Sequence, residues 1–274
     1  MASGLSLREG PAESQITFPV RERFPGDEEF QLVIVLVKSF DTESVARSLI
    51  GQIGSHIPVL TLQNGLGNAE ALASKLQPGQ VLAGTTTVGA LREAPGKVRL
   101  TGRGGCEMGA WNAAGERYLP RTQLLIQSTG LECRCTPHVA TTLWRKLAIN
   151  AVINPLTAIL RVQNGKLLER EALGPVMNMI VEEVWRVAAR HQIPLPTPQE
   201  LQKEIRRVCR ITAENRSSML RDVEQGRRTE IESINGAVVR MGREQGIPTP
   251  LNAALTGLVQ ALSENPRRVT EGGK

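Results

Sequence analysis

TTLWRKLAINAVINPLTAIL, residues 141 to 160, carries three polar side chains at a spacing of four, namely Lys146, Asn150 and Asn154. On an α-helix each four-residue step turns the side chain by about 40°, so the three groups form one polar stripe on an otherwise apolar helix. Amides and an ammonium that face inward are costly unless something hydrogen-bonds them. Two readings follow: a polar ligand in a cleft, or a lysine that reaches solvent beside asparagines that cap neighbouring loops.

The length and composition are those of a globular protein. The chain has 274 residues, enough for two domains or one large one. Its longest apolar run, LVIVLV at 32 to 37, is strand-sized and well short of the roughly 18–20 residues of a membrane span. The start, MASGLSLREGPAESQ, has neither the apolar segment of a signal peptide nor the character of a transit peptide. We therefore expect a cytoplasmic protein without membrane association.

The charge balance permits anionic ligands but does not indicate nucleic acid. The net charge is +6, and only 3% of residues are aromatic, so stacking platforms for bases are scarce. The paired arginines at 206 and 207 and at 227 and 228 lie among acidic residues, as on solvated helix faces. Nucleic-acid binding is not expected.

The cysteines and histidines do not form a metal-binding pattern. The four cysteines give one CxC and two single residues, without paired CxxC spacing, and the three histidines are scattered. These residues are Cys106, Cys133, Cys135, Cys209, His56, His138 and His191. We expect no metal site, and reduced structural thiols in a reducing compartment.

The first half of the chain alternates strand and helix patterns. Residues 1 to 30 are rich in Gly, Pro and charge, and only ITFPV at 16 to 20 resembles a short strand. QLVIVLVK at 31 to 38 is apolar on both faces, which predicts a central strand of a parallel sheet. DTESVARSLIGQI then predicts a helix with Asp41 as its N-cap and Glu43 in its first turn.

The same alternation continues to about residue 90. HIPVLTLQNGLGNAEALASKL, from 56 to 76, reads as strand, glycine-rich turn and amphipathic helix, and GQVLAGTTTVGA, from 79 to 90, adds a strand. This order predicts an α/β fold with a doubly wound parallel sheet. Ligands of such sheets lie beyond the carboxyl ends of the strands, where Lys38 and the turn from Asn64 to Asn68 are expected. That turn is also an ordinary turn sequence.

Residues 86 to 136 read as short strands joined by glycine-rich turns. The segments TVGAL, KVRLTG, CEMGAW, QLLIQS and LECRC carry this pattern. The glycines at 102, 104, 105 and 109 resemble a phosphate-binding loop, but no helical pattern follows them, and neither GxGxxG nor GxxxxGK[ST] occurs. Hairpin turns are the better interpretation.

After His138 the pattern becomes helical, which predicts a domain boundary there. Helices are expected to about 160, across PVMNMIVEEVWRVAARH, and from a capping box at Thr197 and Glu200 through 210, with a turn at QNGKLL. Gly226 is predicted to end a helix, and Thr229 with Glu232 to begin the next. That start would place Glu230 in a first helical turn and, through the bend at Gly226, near Ser218. The tail ENPRRVTEGGK is expected to fray.

Several of these segments together resemble the ketopantoate reductase (2-dehydropantoate 2-reductase) family. In chain order they are LVKSFDT, LQNGLGN, GTTTVGA, LWRKLAINAVINPLTAI, QNGKL, ENRSSML, RRTEIESINGAV and REQGIPTPLN, and the similarity runs from about 31 to 262. The resemblance implies a Rossmann-type nucleotide-binding domain over 1–137, truncated at its N-terminus, followed by an all-helical substrate and catalytic domain over 138–274. It also implies an oxidoreductase. From the exposed helices of the second domain we further expect that a homodimer can form.

The resemblance further implies NADPH-dependent reduction of 2-dehydropantoate, or of a related 2-keto acid, to the hydroxy acid, a step towards pantothenate and coenzyme A. Lys146 matches the general acid that gives a proton to the ketone oxygen. The implied substrate contacts are Asn64, Asn150, Asn154, Asn164, Asn215 and Ser218. The implied cofactor contacts are Lys38, Asn64, Ala90 and Glu230.

The chain departs from the family pattern at its N-terminus. Members begin with a strand, a GxGxxG turn and a helix, a unit on the order of 45 residues that has no counterpart here. Three explanations stay open: the sequence is a fragment or alternative start of a full reductase, it binds a keto acid or a full-length partner without the cofactor, or its own N-terminal segment rebuilds part of the sheet. The composition of residues 1 to 15 argues against the third. We expect weak NADPH binding.

Overall fold

The computed structural model describes residues 2–22, 24 and 30–264. These residues belong to two compact units, which are treated separately below. The first comprises Met1–Gln63 and Asn68–Thr142, and the second comprises Asn64–Gly67 and Leu143–Lys274. No helix in the described ranges combines the length and apolar character needed to cross a membrane.

The first unit contains two β-sheets. Its strands are β1 (Ala2–Glu9), β2 (Ala12–Pro19), β3 (Val33–Val35), β4 (Val59–Thr61), β5 (Val81–Thr86), β6 (Gly89–Ala94), β7 (Lys97–Gly102), β8 (Gly105–Ala110) and β9 (Glu132–Cys135). One sheet has the order β3-β4-β5-β8-β9 and the other β2-β1-β7-β6. The helices α1 (Thr42–Leu49), α2 (Asn68–Ala73) and α3 (Leu119–Gln127) alternate with the strands of the five-stranded sheet. The α/β fold class is therefore confirmed.

Within the five-stranded sheet, β3, β4 and β5 are parallel, as the alternating pattern predicts. β8 runs antiparallel to β5, and β9 is parallel to β8. Parallel neighbours need a crossover connection, and α3 provides it between β8 and β9. The prediction that QLLIQS at 123 to 128 is a strand is thus wrong. Its apolar triplet suits a buried helix as well as a strand, and Pro120 at the start of α3 is typical of a helix N-terminus.

The first strand of this sheet differs from the prediction for QLVIVLVK. Only Val33–Val35 forms β3, and it is an edge strand, paired with β4 alone among the described strands. Ile34 and Leu36 are 44% and 64% exposed. A continuous apolar run indicates two faces suited to burial, but it does not say whether neighbouring elements cover them. The expected central position is therefore corrected to an edge.

The N-terminal segment is also more ordered than its composition suggests. β1 and β2 form an antiparallel hairpin, and β1 pairs in parallel with β7. The glycine and proline lie in the turn at Gly10 and Pro11, where Gly10 takes a φ of +56° that favours glycine. Every residue of β2 is exposed, so the strand lacks the apolar alternation that would reveal it. The hairpin belongs to the four-stranded sheet and does not extend the five-stranded one.

The second unit contains helices and connecting loops, and no strand among its described residues. Its helices are α4 (Val139–Leu160, of which the first four residues belong to the first unit), α5 (Leu173–Arg190), α6 (Pro198–Ile211), α7 (Ser218–Glu224), α8 (Asn235–Glu244) and α9 (Pro250–Glu264), with a 3₁₀ turn at Asn164–Leu167. Residues 151 to 158 of α4 are all buried, and the largest core cluster surrounds them. A helix that is apolar on every side is stable only inside a core, so α4 is the central helix of this unit.

Two of the four helix-end predictions are confirmed. Thr197 and Glu200 form the predicted capping box of α6. Gly226 follows the end of α7 with a φ of +63°, as a glycine after a helix does. The tail beyond Glu264 lies outside the described residues.

The other two helix-end predictions are wrong. Thr229 and Glu232 do not cap a helix, because α8 begins only at Asn235 and residues 230 to 234 form a bend and turn. Glu230 therefore lies in a loop and not in a first helical turn. Asp41 makes no capping hydrogen bond to α1, since it completes a 3₁₀ turn, Ser39–Asp41, and is itself helical in backbone conformation.

Candidate active site

Helix α4 presents the polar stripe that the sequence predicts. Lys146 and Asn150 are half-buried, and Asn154 is 6% exposed. The helix is continuous through Pro155, so the three side chains keep the four-residue spacing along one rod. All three lie in the second unit. The stripe therefore runs from a half-buried ammonium to a buried carboxamide.

The environment of Lys146 changes its acidity. Burial removes water from the ammonium and lowers its pKa from 10.5 to about 8, although the charge of Glu230 acts in the opposite direction. A lysine with an ordinary pKa would be almost fully protonated at neutral pH and would release its proton reluctantly. A pKa near 8 lets the same group hold a proton and give it up in the physiological range.

The two asparagines of the stripe have unused hydrogen-bonding capacity. Neither the Asn150 nor the Asn154 carboxamide makes a hydrogen bond to a side chain or backbone group of the described residues. Neither residue contributes to the fully buried side-chain N and O atoms that lack a partner among the described residues, so solvent reaches both carboxamides. The capping of neighbouring loops, one of the two readings of the stripe, is therefore not what these amides do among the described residues. They are free to bind a ligand.

The loop that contains Glu230 packs against the turn at Asn64–Gly67, which belongs to the same unit. The Leu66 N–H donates to the Ser233 carbonyl over 2.9 Å. A Cβ atom added to Gly65 would lie 2.5 Å from that carbonyl oxygen, so only glycine permits this approach. The contact brings the turn that carries Asn64 beside the loop of Glu230, whose side chain is 6% exposed and acts electrostatically on Lys146.

The predicted substrate residues near α7 lie in different environments. Asn215 and Ser218 are exposed just before and at the start of α7. Asn164 is 7% exposed and donates its side-chain N–H to Thr212 Oγ1 over 3.0 Å, while its Oδ1 has no partner among the described residues. Its backbone N–H donates to the Asn215 carbonyl. The amino group of Asn164 is thus already engaged within the protein.

Sequence reasoning missed the residues that join α7 to α4. Thr157, one turn beyond Asn154, hydrogen-bonds through its hydroxyl to that of Ser217 over 2.7 Å. Ser217 Oγ also accepts the Leu220 N–H, which caps α7. The doublet of serines at 217 and 218 drew attention to the second one, whereas the first is the buried partner of α4. A Ser three residues before a helical N–H was the available signal.

The remaining predicted cofactor residues belong to the first unit. Lys38 is half-buried and follows β3, immediately before the 3₁₀ turn at Ser39–Asp41. Ala90 is exposed in β6, where it pairs with Leu100 of β7. Their roles as cofactor contacts stay predictions. Among the described residues, no three His, Cys, Asp or Glu side chains form a group that could hold a metal ion.

Few of the described residues suit the pyrophosphate of NADPH. No GxGxxG occurs in the 274 residues. At the glycine-rich turn before α2, Gly65 packs against Ser233, whereas nothing lies within 4 Å of the position that a Cβ atom on Gly67 would take. The N-terminus of α1 carries Asp41 and Glu43, whose negative charges disfavour an anion. The chemistry that can be derived from this chain therefore concerns the keto acid.

Two family models match the chain. Residues 2–113 match "Ketopantoate reductase PanE/ApbA", and residues 138–263 match "Ketopantoate reductase PanE/ApbA C terminal". A curated relative from Halobacterium salinarum, a 2-dehydropantoate 2-reductase, is 39% identical over 84% of this chain and 75% of its own length. The chain belongs to the ketopantoate reductase family. The match from residue 2 includes the N-terminal hairpin, which the resemblance starting near 31 had left out.

Other members of the ketopantoate reductase family are similarly close. The 2-dehydropantoate 2-reductase of Archaeoglobus fulgidus is 36% identical over 86% of this chain and 77% of its own length. The crystal structure of a ketopantoate reductase from Ralstonia eutropha aligns with a TM-score of 0.86 and 30% identity over 96% of this chain and 85% of that one. A ternary structure of D-mandelate dehydrogenase with NADH and anilino(oxo)acetate aligns with a TM-score of 0.89 and 26% identity over 95% and 85%. The family therefore comprises NAD(P)-dependent 2-keto acid reductases of more than one substrate type.

Proposed function

We propose that this chain binds 2-dehydropantoate along the polar stripe of α4 and protonates its ketone oxygen from Lys146 during reduction to pantoate, a step towards pantothenate and coenzyme A. The observation that carries the proposal is a half-buried lysine with a pKa of about 8 on the same helix as two carboxamides that have no hydrogen-bond partner among the described residues. The ammonium can donate a hydrogen bond to the ketone oxygen of a 2-keto acid, and the carboxamides can donate to its carboxylate.

The role of Lys146 follows from the charge that develops during reduction. When hydride reaches the carbonyl carbon, the oxygen becomes an alkoxide, and a neighbouring ammonium stabilises that charge and then supplies the proton. In this family the hydride comes from a reduced nicotinamide. Partial burial strengthens the interaction because less water screens it. Glu230 favours the protonated form of Lys146, so that a proton is present when the substrate binds.

The asparagines suit the rest of the substrate. Each carboxamide offers two N–H donors and one acceptor, so Asn150 and Asn154 can donate to a carboxylate and accept from a hydroxyl without adding charge. A second cation beside Lys146 would lower its pKa further and weaken its hold on the proton. The neutral carboxamides can bind the carboxylate of the substrate without changing the pKa of Lys146. In this proposal Asn64, Asn215 and Ser218 provide further contacts, and Lys38 and Ala90 contact the cofactor.

A second substrate has a specific observation in its favour. D-mandelate dehydrogenase, whose name gives it an aromatic 2-hydroxy acid, aligns with a TM-score of 0.89. The aliphatic acid stays our first choice, because the curated relatives at up to 39% identity are 2-dehydropantoate 2-reductases. An assay of both keto acids, 2-dehydropantoate and benzoylformate, distinguishes the two: the proposal requires a higher kcat/KM for the former.

A second role for the chain is keto-acid binding without turnover, in a regulatory or interaction protein. The negative charges of Asp41 and Glu43 at the start of α1, which disfavour a pyrophosphate there, favour it. The experiment that separates the two roles is oxidation of NADPH followed by absorbance in the presence of 2-dehydropantoate. Turnover that disappears in Lys146→Met but persists in Lys166→Met, an exposed lysine paired with Glu169, supports the reductase. Binding of the keto acid without NADPH oxidation supports the binding role.

A further inference from the structure

A proline lies within α4, directly after Asn154, the last residue of the stripe, and inside the buried segment from 151 to 158. Pro155 has no N–H, so the carbonyl of Ala151, four residues earlier, lacks the hydrogen bond that an ordinary helix would give it. Ala151 is fully buried, and water cannot replace the missing donor. An unmet buried carbonyl would destabilise the turn that contains Asn150 and Asn154.

The missing donor comes from another helix. Asn235, the first residue of α8, donates its side-chain N–H to the Ala151 carbonyl over 2.9 Å. Asn235 is fully buried, and its Nδ2 also donates to Asn252 Oδ1 over 2.9 Å. Its own Oδ1 has no partner among the described residues. The Asn235 amide therefore makes two hydrogen bonds as a donor and none as an acceptor among the described residues.

The orientation of the Asn235 amide is set at the far end of a hydrogen-bonded chain. The Glu183 carboxylate, 6% exposed, accepts the backbone N–H groups of Leu251 and Asn252 at the start of α9 and the side-chain N–H of Asn252. A carboxylate only accepts, so Asn252 must direct its amino group towards Glu183 and its oxygen towards Asn235. Asn235 must then direct its own amino group towards two acceptors, Asn252 and Ala151.

We propose that Asn235 is a positioning residue for the substrate site: its amide replaces the helix hydrogen bond that Pro155 cannot make and so fixes the turn of α4 that presents Asn150 and Asn154. Glu183 and Asn252 hold the amide in the orientation that this task requires. The positioning role rests on the proposed function of the stripe. The hydrogen bond by which Asn235 replaces the missing helix bond of Ala151 does not depend on that function.

If the Asn235 amide replaces the missing helix hydrogen bond, then restoring that bond should make the loss of the amide less costly. Asn235→Leu keeps a similar size but removes the donor, whereas Pro155→Ala restores a backbone N–H that can reach the Ala151 carbonyl. Pro155→Ala alone is expected to stabilise the helix in every background. The test is therefore the coupling between the two substitutions in a double-mutant cycle of urea unfolding. We expect a coupling of about tenfold in the unfolding equilibrium constant, the size of one buried hydrogen bond.

Val238→Ala is the matched control, since Val238 is also fully buried and lies one turn further along α8. It loses packing and not a donor, so we expect its coupling with Pro155→Ala to stay within about twofold. Equal coupling in the two cycles would show that the Asn235 amide does not replace the missing helix hydrogen bond. If Asn235→Leu does not fold, Val238→Asp, which also disrupts the core, becomes the control. Recovery of folded protein by Pro155→Ala in the Asn235→Leu background alone supports the inference, and recovery in both backgrounds or in neither contradicts it.

The positioning role has a separate readout in ligand affinity, measured by calorimetric titration with 2-dehydropantoate. We expect Asn235→Leu to weaken binding at least about fivefold, the double variant to recover it to within about twofold, and Val238→Ala to leave it unchanged. An unchanged affinity in Asn235→Leu, with coupling in the unfolding cycle, refutes positioning and retains the helix bond. If the wild-type protein binds no keto acid, the proposed function and positioning both fail, while the unfolding cycle still decides the helix bond.

Discussion

The charge of Glu230 raises the pKa of Lys146, in opposition to burial, which lowers it to about 8. Glu230 lies in the loop between α7 and α8 and is 6% exposed, so water screens its effect only partly. The two residues are 84 positions apart in the sequence, yet together they set the protonation of the residue to which we assign proton transfer. The first two predictions concern this pair.

Lys146→Met should stabilise the protein at neutral pH. The folded state holds Lys146 at a pKa of about 8, below the 10.5 of an exposed lysine, so the unfolded state binds more protons between these values. The buried ammonium therefore destabilises the fold below pH 8, and wild-type stability rises between pH 8 and 10.5. The variant, which has no ammonium, is expected to be more stable by about 1–3 kcal/mol at pH 7.

The measurement is urea unfolding of both proteins from pH 6 to pH 10. The advantage of Lys146→Met should shrink steadily above pH 8, because the folded wild-type protein loses the lysine proton while the unfolded chain still holds it. Lys166→Met, at an exposed ion pair, should differ little from wild type across the range. A constant difference between Lys146→Met and wild type would show that packing, and not charge, is responsible.

Glu230→Gln should lower the pKa of Lys146 below its wild-type value. The substitution keeps the shape of the side chain but removes the negative charge that favours the ammonium. Competitive acetylation of lysines as a function of pH, read by mass spectrometry, reports this pKa without requiring turnover. Glu232→Gln, at an exposed ion pair with Arg228 in the same loop, is the control. An unchanged titration of Lys146 in Glu230→Gln would show that the two groups do not interact.

NADPH should bind weakly or undetectably. A pyrophosphate is normally held by a GxGxxG turn at a helix N-terminus. The printed sequence has no such turn, and Asp41 and Glu43 place negative charge at the start of α1. Titration followed by NADPH fluorescence measures the affinity directly, and NADH serves as the comparison. A dissociation constant in the micromolar range would contradict the prediction and would favour the reductase over the binding role.

Asn150→Leu and Asn154→Leu should be tolerated by the fold or should stabilise it slightly. Their carboxamides have no hydrogen-bond partner among the described residues, so an apolar side chain of similar size breaks no hydrogen bond of the fold. Asn164→Leu is the contrasting variant: it breaks the hydrogen bond to Thr212 and should cost about 1–3 kcal/mol. Thermal unfolding distinguishes them. Large losses in the two stripe variants would mean that the asparagines serve the fold.

The features that the sequence predicts correctly are those that depend on residues close together along the chain. The stripe at Lys146, Asn150 and Asn154 is a matter of helical spacing, and α4 realises it because the surrounding residues are apolar on every side. The capping box at Thr197 and Glu200 depends only on residues within one turn, and it forms as predicted. A capping box forms between residues within one helical turn, so its prediction does not require knowledge of tertiary contacts.

The parts that the sequence does not predict depend on distant partners. Glu230 lies in a loop and not in a helix, because the segment before α8 packs against the turn at Gly65 and does not follow its own capping pattern. The fully exposed strand β2 gives no apolar alternation, although it pairs along its whole length with β1. Asn235 reads as an ordinary helix-start residue, and only the fold brings it to Ala151.

The most direct test is calorimetric titration of 2-dehydropantoate into the wild-type protein and into Lys146→Met and Asn150→Leu at pH 7, with Lys166→Met as the control. The account predicts saturable binding by wild type and by the control, and at least about tenfold weaker binding by both stripe variants, as expected when a charged and a neutral hydrogen bond to the ligand are lost. Equal affinities in all four proteins would contradict it, because the keto acid would then bind elsewhere.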